Sequence, residues 1–526
     1  MKGPLMNRRE LLKTMAILAA GASSSALLPG GIRMASAADG AQKILRVQND
    51  QDITNLDPAN RSGWYDEMVM FAIYSGLCQY QDGTDWGWQL DAAEKLEQVD
   101  PVTIHFRLKP GILWSGDFGE MTAEDVKYSY ERFLDPTLSA IYASDWAALD
   151  HVEVTSTYEG IIHLKHPFAP LFTSTLPHAS GLIICKKAVQ ASKDQKIGTD
   201  PLACSGPYRI GNWTPREKLT LVRNERWRGA ATDFDQIQLI PIGDLNTAEM
   251  AFEAGDLDMT KINLSAVAKY QQGNGDATLT LRPALAYTWL GMNVDHPKLK
   301  DLRVRRAIQQ AIDVPAVLDA GFGGAVKPAY GLVPPPLPGA RGKTIYPYSP
   351  DTAKALLKQA GVSGLQLRLD FSASTDISTI AQVIQAQLAE IGITLEINQM
   401  DGAAFVAAGQ ESAGDGWKDS QLRITTFTTA PDPSWVTAWF TCSQVGIWNT
   451  QRTCEETWDT LNSEAAVEQD AAKRAAMYVK LQDKLEETGA YVFLYHGSNA
   501  WVTPTSIKGA WTPDGQWPLF RDIKRV

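Results

Sequence analysis

HFRLKPGILWSGDFGEMTAEDVKYSYERFL, residues His105 to Leu134, is the stretch on which the reading of the fold turns. Thr103–Leu108 alternates polar and apolar residues, the pattern of a half-buried strand. Pro110-Gly111 ends it, because proline fixes φ and glycine accepts positive φ. Thr122 and Asp125 then form a capping box: the hydroxyl takes an orphan backbone N–H while the carboxylate bonds back. Val126, Tyr130 and Phe133 follow on one helical face. Strand, turn, loop and capped helix make a packing unit with no chemistry of its own.

Outward from there, 526 residues at ~150 per domain allow about three compact units. An apolar share of 44% and a charged share of 21% suit a globular protein with a large core. No run of 18 or more apolar residues occurs, so the sequence offers no membrane span. Residues 1–37 hold five Lys and Arg against one Glu. The remainder has 44 basic and 59 acidic residues, a formal charge of −15. Such an acidic chain speaks against nucleic acid or anionic lipid as a partner.

The N-terminus reads as an export signal. Asn7-Arg8-Arg9-Glu10-Leu11-Leu12-Lys13 resembles the twin-arginine motif, Thr14–Ala22 is a short apolar segment, and Ala35-Ser36-Ala37 offers a small-x-small cleavage site. A cut near Ala37-Ala38 would leave a soluble periplasmic chain. No cysteine lies beside the cut, so a lipid anchor is not expected. All five cysteines fall in the exported part, where oxidation is permitted. Candidate bridges are Cys442–Cys454, which flank one loop, and Cys185–Cys204. That leaves Cys78 as a core thiol in an apolar helix.

Patterns of catalysis and metal binding are thin. Gly342-Lys343-Thr344 resembles the end of a P-loop, but Leu337 occupies the place of its first glycine. There is no H-E-x-x-H and no G-x-S-x-G in the mature chain. His163 and His166 lie in a strand-and-turn stretch with no further ligands at metal spacing. No cofactor, no metal and no catalytic residue is therefore expected.

Taken in order, the chain alternates strands and helices. Lys43–Gln48 reads as a strand and Glu67–Gly76 as a buried helix. In the second half, Asp301–Asp313 has Val304, Ala307, Ile308, Ala311 and Ile312 on one helical face. Val333–Gly339 is a proline-rich loop expected on the surface. Ser349-Pro350 starts a helix that Gly361 ends. Leu365–Phe371, Asp376–Ile391 and Ile393–Ile397 read as a β-α-β unit, whose strands would be parallel with a right-handed crossover. Residues 473–487 form another helix and Tyr491–Tyr495 a strand.

Several motifs recur in a fixed order: Asn55-Leu56-Asp57-Pro58-Ala59, Tyr74-Ser75-Gly76-Leu77-Cys78, RLKPGILWSGD with TAEDVKYSYER, Cys204-Ser205-Gly206-Pro207-Tyr208, and Ala254-Gly255-Asp256-Leu257-Asp258. Together they resemble family 5 of the bacterial extracellular solute-binding proteins, the peptide-, opine- and nickel-type receptors of ABC importers. The resemblance implies an α/β, two-lobe periplasmic-binding-protein fold of type II, with an extra subdomain in lobe one and a two-strand hinge. Lobe one would be 42–288 plus the tail 498–526, with 86–200 as the subdomain, and lobe two 292–493. It implies a monomer that encloses a small organic solute (peptide-like, opine-like or sugar) and delivers it to a membrane permease. The rival classes are a secreted cofactor-containing enzyme exported folded and a periplasmic chaperone-like protein. Neither accounts for the motif series.

Aromatic residues beside turns and at the expected lobe crossing are the candidate ligand contacts, since Trp and Tyr give rigid contact area with a polar edge. They are Trp64, Tyr65, Trp289, Phe427, Trp435 and Trp448, with Asn293 and Asn449 beside them. In the peptide-binding members of the family, an aspartate three residues before an acidic-Pro pair meets the ligand's α-ammonium. The matching stretch here is Arg423–Trp435, where the acidic-Pro pair is Asp432-Pro433 and the earlier position is the neutral Thr429. A desolvated cation without a counter-charge is costly. The resemblance thus points away from a dipeptide held by its amino end, with Asp432 as a substitute contact.

The export reading carries its own test. A twin-arginine receptor reads guanidinium geometry that an ammonium does not reproduce. The Arg8→Lys, Arg9→Lys double variant should stay in the cytoplasm on cell fractionation, and normal periplasmic levels would reject the route.

Overall fold

The computed structural model describes residues 42–526 except 84, 272–275 and 336. The signal segment lies outside the described residues. Two strands, Ala277–Met292 and Tyr491–Pro504, run 16 and 14 residues, beyond the usual strand length, and pair antiparallel. They are long because they belong to both lobes. Their register breaks between Pro283 and Tyr287 on one strand, opposite Ser498 and His496 on the other. Pro283 has no N–H to give the ladder. At Gly497 a Cβ would sit 3.1 Å from the Ala286 Cβ, so the two backbones approach closely there.

On one side of the break, Thr260–Lys261 pairs with Trp501 and Val502, and Met259 bridges to Val47. Val47 lies in Ile44–Asn49, the edge of a four-stranded sheet. The order continues Gln236–Pro241, Lys218–Arg223, Tyr208–Thr214, with only the first pair parallel. Leu45, Ile237 and Leu239 build this lobe's core together with Trp511, Trp517, Phe520 and Ile523 of the C-terminal tail. Lobe one is therefore discontinuous in sequence.

On the other side, Leu422–Thr428 pairs antiparallel with Ala286–Met292, and Leu365–Ser372 and Ile393–Met400 follow in parallel. Helix Thr375–Glu390 makes the crossover, and Gly392, at φ 84°, ends it as only glycine does easily. Leu369, Ile384 and Leu395 are buried between helix and sheet. The β-α-β unit is thus the one read from the sequence.

The stretch His105–Leu134 belongs to a third layer. Ala93–Asp100, Thr103–Leu108, Glu159–Leu164 and Leu149–Val154 form an antiparallel sheet, and helix Ala123–Glu131 packs on it. The capping box is present, with Thr122 N donating to Asp125 Oδ2 at 2.9 Å. Val126, Tyr130 and Phe133 are buried, and Tyr130 stacks on Trp146 at 4.2 Å. Arg132 Nη2 reaches Asp57 Oδ2 at 2.9 Å in a buried pair, so two of the sequence motifs meet in space.

Three expectations change. The helix read at Glu67–Gly76 is Trp64–Ile73, and Cys78 lies in the short strand Cys78–Tyr80 rather than a helix, though it is buried. Val333 and Leu337 are buried, because the proline-rich loop packs beside Tyr478 and Leu481 and Val333 N donates to Gln482 Oε1 at 3.0 Å. Cys185 and Cys204 do not pair: both are free and buried, each in a different core. Burial pushes their thiols up to about 11 and about 12.

Cys442 and Cys454, twelve positions apart, are joined. The bridge constrains the unfolded chain and should add about 3 kcal/mol. Reduction, or Cys442→Ser with Cys454→Ser, should lower the urea midpoint accordingly; an unchanged midpoint would refute the contribution.

Candidate functional site

Between the lobes lies a cavity of about 660 Å³. Its lobe-one wall starts from helix Trp64–Ile73. Asp66, in the first turn, accepts from Thr54 N at 2.7 Å and Ser62 N at 3.0 Å and so fixes the loop that carries Arg61. Arg61 is 1% exposed, meets Glu67 Oε1 at 2.5 Å and Asp145 Oδ2 at 3.8 Å, and lies 3.4 Å over the Tyr142 ring. His178 Nε2 is 3.8 Å from Glu67 Oε2. Burial drives the His178 imidazole down to about 4 and the Asp145 carboxyl up to about 6, the latter against the pull of Arg61.

Lys261 and Asp514 continue this wall. The Lys261 ammonium sits 3.8 Å above the Trp64 ring, and burial lowers its pKa. Asp514 Oδ1 accepts from Thr512 Oγ1 at 2.7 Å and Gln516 N at 3.1 Å, and burial pushes the carboxyl up to about 6. The lobe-two wall is mostly neutral: Thr426, Thr428, Thr429, Trp435 and Trp439, with Asp376 as its carboxylate. Thr429 Oγ1 is buried without a partner among the described residues. Rigid indole faces, hydroxyls and buried charges suit a small polar solute with an apolar part.

Of the residues singled out in the sequence, Trp64, Thr429 and Trp435 line the cavity. The others are placed elsewhere. Tyr65 packs edge-on against Trp64 and is not on the cavity wall. Trp289 is fully buried, stacked with Tyr287 at 5.6 Å and edge-on to Phe427 at 5.0 Å, so both Trp289 and Phe427 belong to lobe-two packing. Asn293 Nδ2 donates to the Trp417 and Ser420 carbonyls, each at 3.0 Å, and ties a loop. Trp448 packs on Phe427 and Trp439. Asn449 Nδ2 donates to Thr453 O at 2.7 Å inside the disulfide loop.

Asp432 needs a larger correction. It is 0% exposed, takes both Arg474 guanidinium nitrogens at 2.9 and 2.7 Å, and caps Ser434 N at 2.9 Å. Thr173 Oγ1, from the lobe-one side, donates to the same carboxylate at 2.9 Å. Asp432 is an ion-pair partner and a bridge between lobes, with no face left for a solute. The charged wall was missed in turn. Its one visible signal was Asp66-Glu67 inside the otherwise apolar WYDEMVMFAI helix.

Asp514 gives a pH signature. Its folded pKa lies above the unfolded one, so its stabilising share is complete below about pH 4 and is lost as pH rises through about 6. His178 has the opposite sign, gaining over the same window. In Asp514→Asn the amide oxygen can still accept both hydrogen bonds, and the cost of the buried charge disappears. Thermal melts from pH 4 to 7.5 should show the variant gaining on the wild type as pH rises, approaching about 3 kcal/mol. A pH-independent difference would refute this.

Comparison with known proteins agrees with the geometry. The model of the bacterial extracellular solute-binding proteins, family 5 (middle region) matches residues 88–446. The glutathione-binding protein GsiB of Shigella flexneri is 26% identical over 501 residues, covering 91% of this chain and 93% of its own. The fold superposes on the ABC transporter substrate-binding protein CtaP of Listeria monocytogenes with a TM-score of 0.80 at 19% identity, covering 92% of this chain and 99% of that one. DppA of Helicobacter pylori, solved with the peptide STSA, gives 0.74 at 22%, covering 92% and 98%. These are binding proteins of transport systems, not enzymes, and a cavity walled by both lobes is what such a protein needs. The chain belongs to the bacterial extracellular solute-binding proteins, family 5, and is a substrate-binding component of an ABC importer.

Proposed function

We propose that this chain works in the periplasm as a monomeric receptor, exported by the twin-arginine route with its signal cut near Ala37-Ala38. The cavity between the lobes is its solute site. Trp64, Thr429 and Trp435 are its contacts from the sequence reading, and Lys261, Asp514 and Trp439 join them. The single observation that carries this is the cavity itself, walled by both lobes and large enough for a small organic solute. Among the described residues no helix is long and apolar enough to cross a membrane, which suits a receptor that meets its permease by docking. Lobe one is taken as 42–288 with 498–526 and the 86–200 subdomain, and lobe two as 292–493.

The solute is a modified amino acid, an opine-like conjugate, a sugar, or a peptide held other than by its amino end. Thr429 supplies a hydroxyl but no charge on the lobe-two wall, which supports that choice. The relatives named for glutathione make glutathione the first compound to try. Closure follows as a population shift: a solute touching both walls favours the closed form, which the permease reads. The Thr173–Asp432 hydrogen bond joins the lobes beside the cleft and adds to that form.

Native mass spectrometry of protein taken from the periplasm should reveal a co-purified small molecule. Adding it back to stripped protein should change tryptophan fluorescence, since Trp64, Trp435 and Trp439 face the cavity. Thr173→Val should raise its dissociation constant by about 10- to 150-fold, the share of one charge-assisted hydrogen bond. A solute that binds without any change in fluorescence or in small-angle scattering would overturn the closure reading.

A further inference from the structure

Among the described residues Lys261 is the one cavity-lining ammonium, and no carboxylate lies within ion-pair distance of it. Its residue is 8% exposed. Among the described residues its Nζ makes no hydrogen bond and no ion pair within 4.0 Å. Its contacts are aromatic: the Trp64 ring at 3.8 Å and the Trp501 ring at 5.5 Å. A cation over an indole is stabilised, but less than one that donates to a carboxylate. An ammonium has three donors to satisfy. Its backbone is held in place, because Thr260–Lys261 is a strand paired to Val502 and Trp501. Beside it, Gly63 and Trp64 bring the start of helix Trp64–Ile73 to the cavity, and no side chain caps that end.

We infer that Lys261 is the anchor for a carboxylate of the transported solute, which would make the substrate class carboxylate-bearing rather than a neutral sugar. The inference rests on the cavity being the solute site. The facing charges narrow the class. Asp50 and Asp514 act on Lys261 from beyond ion-pair distance. Two carboxylates around a single ammonium disfavour a dianion such as a phosphate ester, and they suit a carboxylate whose neighbouring groups donate hydrogen bonds or carry positive charge. The arrangement also differs in kind from recognition by an aspartate on lobe two, the place where this chain has Thr429. Here the first charged contact is a cation, and it belongs to lobe one.

Isothermal titration of the mature wild type tests this with glutathione, octopine and alanylalanine, each as free acid and as methyl ester, and with cellobiose as a neutral solute. At least one free acid should bind and its ester should be weaker by about 30-fold. Lys261→Met, which keeps the aliphatic stem, should bind that acid and its ester equally, while Lys261→Arg should keep the preference. Lys261→Met should melt no lower than the wild type, because a buried charge is removed. If the variant fails to fold, the acid-against-ester ratio on the wild type still decides. Cellobiose or an ester binding as tightly as any acid, with a fluorescence response, overturns the inference and leaves the receptor reading standing. A protein that binds none of these and shows no response overturns both.

Discussion

The backbone pairing of Ala277–Met292 with Tyr491–Pro504 is the constraint on which the molecule depends. Each lobe completes its own core on one end of this ribbon: Trp501 and Val502 on the first side, Leu290 and Leu494 on the second. The longest break in the ladder lies at Pro283 and Gly497, with a second register shift between Thr288 and Trp289. Missing ladder bonds and small residues there leave the joint compliant, while the pairing that resumes on both sides ties it to each lobe. Bending at such a joint changes the cavity without unfolding either core.

The cavity walls are electrically unequal. Arg61, Glu67, Asp145, His178, Lys261 and Asp514 all belong to lobe one, whereas lobe two offers hydroxyls, indoles and the carboxylate of Asp376. Arg61, Glu67, Asp145 and His178 are tolerable on lobe one because they meet one another, on a loop that Asp66 holds in place. On the proposed reading, charge would hold the solute on lobe one, and lobe two would close over it through shape and neutral contacts.

The order of strands and helices was legible because it is local. Alternation in Leu365–Ser372, the stop at Gly392 and the Thr122–Asp125 box depend on neighbours in sequence. The bridge of Cys442 and Cys454 was legible for the same reason. The site was not, because its contacts are remote. Asp432 was offered as a solute contact, yet Arg474, 42 residues away, and Thr173, in the other lobe, already saturate it. Trp289 lies on the long strand that links the lobes, but the pleat turns its ring into lobe two, against Phe427 and Phe440. Lys261 gave no signal in its own segment, since its meaning comes from Trp64, brought beside it by the fold. The family motifs, too, are scaffold: Asp57 and Arg132 hold each other, and Ser205 Oγ accepts from Ser75 N at 2.9 Å.

The placement of the five sulfur atoms has a consequence for how the protein is made. Cys78, Cys185 and Cys204 are sealed inside lobe one, with thiols that burial keeps protonated and inert. Cys442 and Cys454 lie in lobe two, with Cys454 at the surface. An oxidant that meets the chain already folded therefore finds only one pair within reach, and no mispaired product can form. An oxidant that meets it unfolded finds five competing thiols. The sequence of folding and oxidation, rather than the chemistry of the cysteines themselves, sets the yield of correctly bridged protein.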